Sequence, residues 1–185
     1  MTETTRSTTN ERSNGATLRV AVCATVGEGL TELSAFDDAL LRCGVHNYNI
    51  IPLSSVIPPG TEVVDAAVDP APDHEFGHRL YVVKAEARSS EPDSVVAAGI
   101  GWYQWDDGRG VFVEHEDVVP LGSIEHVRTH ISNQITTTLH DLVERRGARW
   151  NPAGVGSVIA ATRIQQQPAC ALALAIYQSQ GWQKT

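Results

Sequence analysis

The sequence predicts an α+β fold, a mixed sheet sandwich covered by helices and built as a single domain behind a disordered tail. Three observations carry this reading. Short β-rich runs alternate with helical stretches, giving two strand–helix–strand passages with extra strands between them. One long segment, Ser123 to Arg146, repeats its apolar residues at helical spacing. Two apolar runs, Val155–Ile164 and Ala169–Tyr177, close the sequence. At 185 residues, 42% hydrophobic and 19% charged, the composition is globular and the chain long enough to bury a core.

Residues 1–16 carry mixed charge and nothing to bury, so they read as a disordered tail rather than a secretory signal. The domain is then 17–185. Leu18–Ala24 is β-rich, and Gly27-Glu28-Gly29 breaks the chain before a helix over 31–43. Leu33, Phe36, Leu40 and Cys43 fall on one face of that helix, with Gly44 at its stop. Tyr48–Leu53 is a second strand, which Pro52 confines to an edge or an end. Residues 65–78 are a polar connection. Strands follow at Leu80–Ala87, Val95–Tyr103 and Val111–Glu114. In the long helix Ile124, Val127, Ile131, Ile135, Leu139 and Leu142 form the buried stripe, and the Arg145-Arg146-Gly147 end suits the negative pole. The two closing runs, separated by Gln165-Gln166-Gln167-Pro168, read as neighbouring strands that pair.

Charge excludes some functions. With 14 Lys+Arg against 22 Asp+Glu the net charge is −8, the wrong sign for a phosphate-backbone binder. No apolar run reaches the ~18 residues of a membrane span. Cys23, Cys43 and Cys170 are too scattered for a disulfide framework or a CxxC site, and each reads as a small buried hydrophobe in a reducing cytoplasm. His74-Glu75-Phe76-Gly77-His78 matches the HExxH zinc signature. That chemistry needs a helix to bring both imidazoles to one face. Pro70, Pro72 and Gly77 oppose a helix, so the segment reads as a loop entering a strand, with zinc peptidase as a rival that stoichiometric metal would reveal.

Ser54-Ser55 runs into a rigid Pro58-Pro59-Gly60 bend, which by itself is an ordinary strand-to-turn exit. Its surroundings are more specific. Gly27-Glu28-Gly29 through Ser34-Ala35-Phe36-Asp37-Asp38, then Asn49-x4-Ser54-Ser55-x-x-Pro58-Pro59, then Gly110-Val111-Phe112-Val113-Glu114 occur in an order and spacing that resemble the pyruvoyl-dependent arginine decarboxylases. The resemblance spans roughly residues 18–178.

The resemblance implies a four-layer αββα sandwich that cuts itself between Ser54 and Ser55, into 1–54 and 55–185. Ser55 Oγ attacks the Ser54 carbonyl, the resulting ester eliminates, and a covalent pyruvoyl group derived from Ser55 remains, with neither pyridoxal phosphate nor metal. A neutral serine is a weak nucleophile, so this shift needs close range and a strained or polarised peptide. By the same resemblance Asn49 holds the developing oxyanion, Glu114 returns a proton to the α-carbon after a Schiff base loses CO2, and Asp37 pairs with the substrate guanidinium. It further implies a small cationic substrate, L-arginine giving agmatine, and a cytoplasmic homotrimer of cleaved subunits, or a dimer of trimers, with sites between neighbours. Nucleic acid and membrane play no part. Pro52, the 65–78 loop and Pro168 depart from the pattern. They leave open ornithine, histidine or a specialised amino acid as substrate, and an uncleaved homologue acting as a partner subunit.

Overall fold

The computed structural model describes residues 17–66 and 72–183; the predicted tail over 1–16 lies outside the described residues. Strand β1 (Arg19–Glu28) leads to helix α1 (Glu32–Arg42), then β2 (Asn49–Pro52), β3 (Val56–Ile57) and β4 (Glu62–Asp65). Long strands β5 (Arg79–Ser89), β6 (Val95–Gln104) and β7 (Gly110–Val119) precede helix α2 (Ile124–Arg145). Strands β8 (Val155–Arg163) and β9 (Ala169–Gln180) finish the fold.

The strands form two sheets, one of five in the order β2-β5-β9-β1-β4 and one of four in the order β3-β7-β6-β8. Residue alternation explains how they stack. On β9, Ala169, Ala171, Ala173 and Ala175 face the other sheet, meeting Ala98 and Ile100 of β6 and Val83 and Ala85 of β5 in one core. Its alternate residues Cys170, Leu172, Leu174 and Ile176 face the other way, against Ala35, Ala39 and Leu40 of α1. Helix α2 covers the far side of the four-stranded sheet through Val127, Ile131, Ile135, Leu139 and Val143. The mixed α and β architecture is therefore as the sequence predicts, in a single domain.

The caps of α1 are written in its sequence. Thr31 Oγ1 accepts from Ser34 N at 3.1 Å while Ser34 Oγ accepts from Thr31 N at 2.9 Å, a reciprocal capping box. Gly44 at φ 74° follows the last turn. Gly27 does more than break a strand. A Cβ there would stand 2.3 Å from Ala35 O and 2.4 Å from Ala39 N, so the missing side chain is what lets α1 lie on β1. The strand accordingly runs through Glu28. Leu172 is fully buried under α1. Leu172→Ala should cost about 3 kcal/mol of unfolding free energy in a denaturant titration, from lost burial plus the cavity left.

Two expectations are corrected. The closing runs do not pair with each other: β8 pairs with β6 in one sheet, and β9 pairs with β1 and β5 in the other. β9 is apolar on both faces and takes an interior position, whereas β8 alternates in burial and occupies an edge. The run Val111–Glu114 extends to Val119, because His115, Glu116 and Asp117 continue the pairing with Gly99, Ala98 and Ala97. Strands β3 and β4 were invisible in the periodicity, being two and four residues long. Pro52, as expected, ends an edge strand.

Candidate active site

The Ser54–Ser55 dipeptide is where the chain leaves one sheet for the other. Leu53 N still donates to Val82 O of the five-stranded sheet at 2.8 Å, while Val56 already pairs with Val111 of the four-stranded one. Making that crossing in two residues puts Ser55 at φ 63°, the left-handed region that L residues avoid. Holding a serine there costs of order 1 kcal/mol. The bends on either side fix it, because Phe112 N donates to Ser55 O at 2.8 Å and Tyr177 Oη donates to Val56 O at 2.9 Å. Burial, with the Glu114 charge adding to it, pushes the Tyr177 phenol up to about 12, so it remains a donor at neutral pH.

Ser55 Oγ donates to Glu114 Oε1 in a short hydrogen bond. β7 supplies both contacts to Ser55, one through the main-chain N–H of Phe112 and the other through the Glu114 side chain. The pair opens into a cleft of about 280 Å³ whose wall includes Ser54, His115, Thr138 of α2 and Arg146 at the end of α2. His115 Nε2 lies 2.9 Å from Thr138 Oγ1, and burial holds the imidazole below its ordinary value. A larger hollow, about 1020 Å³, is lined by Trp102, Trp105 and Trp150 and holds none of the predicted site residues.

The structure brings Ser54, Ser55 and Glu114 together; Asp37 and Asn49 do not line the cleft within one chain. Asn49 begins β2, and its Nδ2 donates to Gly77 O at 2.6 Å. The two acids of α1 are told apart. Asp38 Oδ2 is occupied by Glu28 N at 3.0 Å and Arg42 Nε at 2.9 Å, which pins the helix to β1. Asp37 is exposed, with no hydrogen-bond or ion-pair partner among the described residues. Sequence reasoning missed the Phe112 N–H, His115, Thr138, Arg146 and Tyr177. Only His115 carried a signal, as the neighbour of Glu114 on a strand that had been ended too early.

The HExxH segment is a 3-10 turn, Asp73–Glu75, followed by Gly77 at φ 77°. Glu75 Oε2 accepts from Tyr48 Oη, which holds its carboxyl below the usual range. The helix that a zinc site of this type requires is not formed, and no cluster of three metal-binding side chains occurs among the described residues. No helix among the described residues is long and apolar enough to cross a membrane.

Comparison with known families agrees with the three-segment resemblance. The family model "Pyruvoyl-dependent arginine decarboxylase" matches residues 19–181, and the chain belongs to that family. It is similar to a pyruvoyl-dependent arginine decarboxylase of Halobacterium salinarum, 39% identical over 116 residues, covering 62% of this chain and 71% of the relative. The Pyrococcus horikoshii protein of the same description is 30% identical over 160 residues, covering 85% and 93%. That of Pyrococcus furiosus is 29% identical over 160 residues, with the same coverage.

Proposed function

We propose that the chain is a self-processing L-arginine decarboxylase, a carboxy-lyase whose products are agmatine and CO2. One observation supports this above the others: the Ser55 hydroxyl, on a residue of positive φ, is hydrogen-bonded to the Glu114 carboxylate. Glu114 is placed to take the Ser55 Oγ proton as that oxygen attacks the Ser54 carbonyl. The amide C–N bond between Ser54 and Ser55 breaks as the ester forms. Elimination then leaves 1–54 with a carboxylate, and hydrolysis of the dehydroalanine releases ammonia and leaves a pyruvoyl group on 55–185. Moving from a strained amide to an ester releases the backbone from the left-handed region, which favours the forward direction.

The residues present fit such a group. The Ser55 carbonyl oxygen becomes its amide oxygen and already accepts from Phe112 N. The pyruvoyl group supplies an electron sink for the loss of CO2 from an α-amino acid. Phe112 N–H holds the oxygen on which charge develops, and Glu114 delivers a proton at the substrate α-carbon. Asn49 has the amide donor for an oxyanion, and Asp37 the free carboxylate for a guanidinium. Because neither lines the cleft of its own chain, this reading calls for a homotrimer, or a dimer of trimers, in which a neighbour's α1 and β2 complete the site. Exposed Leu33 and Leu41, which flank Asp37 on α1, and Leu30 just before the helix are the apolar contact such packing would cover. The proposal carries with it a four-layer αββα sandwich, supported by the packing sequence of α1, five strands, four strands and α2. It also carries a cytoplasmic location and a cofactor made from Ser55 without pyridoxal phosphate or metal.

An intact mass under denaturing conditions tests the cut. Two pieces, the second reactive toward a carbonyl reagent, with CO2 released from arginine, support the reading; one unreactive chain would return it to a family member without the activity. Asp37→Asn should raise the KM for arginine about 10- to 100-fold while leaving a neutral amino acid unaffected, from the loss of a charge-assisted bidentate contact. Equal effects on both substrates would mean that Asp37 does not read the cation.

A further inference from the structure

The fold gathers the three scattered cysteines beneath α1. Cys23 projects from β1, Cys43 caps the C-terminus of α1 and Cys170 comes from β9, all within one apolar cluster. Cys23 Sγ and Cys43 Sγ are 3.0 Å apart with both thiols free. A disulfide needs about 2.05 Å, so closure asks each sulfur to move about half an ångström. Neither cysteine lines the Ser55–Glu114 cleft, and the decarboxylation proposed above uses neither.

We propose that Cys23 and Cys43 are a redox modification site, a dithiol that hydroperoxides convert to a disulfide tying the end of α1 to β1. The two sulfurs have unequal roles. Cys23 is partly exposed, and the contact with Cys43 holds its thiol below the ordinary value against the opposing effect of burial. Cys43, 3% exposed, is pushed well up by its contact with Cys23 and by burial, and the helix C-terminus disfavours a thiolate there. Cys23 is therefore the attacking sulfur. Its thiolate takes the terminal oxygen of the peroxide and expels water or an alcohol, becoming a sulfenic acid. The Cys43 sulfur then displaces hydroxide from that sulfenic acid, giving the S–S bond and a second water. Two thiols lose two hydrogens and two electrons, and the peroxide is the species reduced. A thiol reductant reverses the step. Cys170 is fully buried, and burial pushes its thiol up to about 12, so it stays reduced as an internal reference. A cytoplasmic disulfide of this kind is transient and serves sensing rather than architecture.

The test treats the full-length native protein with hydrogen peroxide, quenches it, then denatures and alkylates. Three alkyl groups are expected before treatment and one after, with the peptides of Cys23 and Cys43 joined and two hydrogens lighter until a reductant is added. The thermal midpoint of the oxidised chain should rise by roughly 5–10 °C, because the bond closes a loop of about 20 residues. Cys43→Ser should leave Cys23 as a sulfenic acid that a cyclic 1,3-dione traps. Three alkyl groups after peroxide, a bridge to Cys170, or sulfinic acid on Cys23 with Cys43 still free would each overturn the proposal. The wild-type alkylation count, together with which two peptides are joined, decides the matter even where a variant fails to fold.

Discussion

Ser55→Ala is expected to yield one uncut chain of 185 residues with no reactivity toward carbonyl reagents and arginine turnover at background. The fold should persist, since Ser55 is only partly buried and its backbone contact to Phe112 N does not involve the side chain. Alanine keeps the strain of φ 63° but lacks the attacking oxygen. Ser55→Gly also lacks it and relieves the strain, so the glycine variant should be more stable than the alanine one by about 1 kcal/mol. Intact mass reads the first expectation and denaturant unfolding the second. Cleavage between residues 54 and 55 in Ser55→Ala would sink the mechanism.

Glu114→Gln should impair two steps. The family resemblance implies a role for Glu114 only after cleavage, as proton donor to the α-carbon, and on that basis the variant would process normally. Its hydrogen bond with Ser55 Oγ adds an earlier role, because a glutamine amide cannot accept that proton. Self-cleavage should slow by about 10²-fold or more, and kcat of the processed fraction should fall by 10²- to 10⁴-fold, the usual contribution of a positioned acid or base. Following conversion with time by mass, and agmatine release on the cut material alone, separates the two effects. Wild-type rates in both would assign the proton transfers elsewhere, with His115 another titratable group lining the cleft.

Local signals made part of this legible. Thr31, Ser34 and Gly44 announce α1 to within a residue, and Ser123 with the four-residue repeat announces α2. Pro52 reveals its strand as an edge because it can donate nothing to a ladder. The sequence could not show which strands share a sheet, since the apolar faces of β8 and β9 look alike until each finds its neighbours. Nor could it show the left-handed Ser55, because that φ is imposed by two sheets fixing the chain on either side of two residues. The Cys23–Cys43 contact was hidden for a similar reason. Each thiol sits in an ordinary apolar run, and only the seating of α1 on Gly27 brings them together.

The strand order of the larger sheet governs what a backbone break between residues 54 and 55 does to the molecule. The amino-terminal piece would hold β1 and β2, while β4, β5 and β9 belong to the other piece. In the order β2-β5-β9-β1-β4 the two polypeptides are interleaved, with β1 bonded on both sides to strands of its partner. The pieces could not part without dismantling the sheet, so a chain cut there would become a tightly held heterodimer that keeps its shape. Renaturation then changes molecularity: the precursor folds by a concentration-independent first-order process, whereas the nicked product must find its complement in a second-order one. Dilution after denaturation should defeat the mature protein and spare the Ser55→Ala precursor. Folding before cutting is thus the order of events that this interleaving favours.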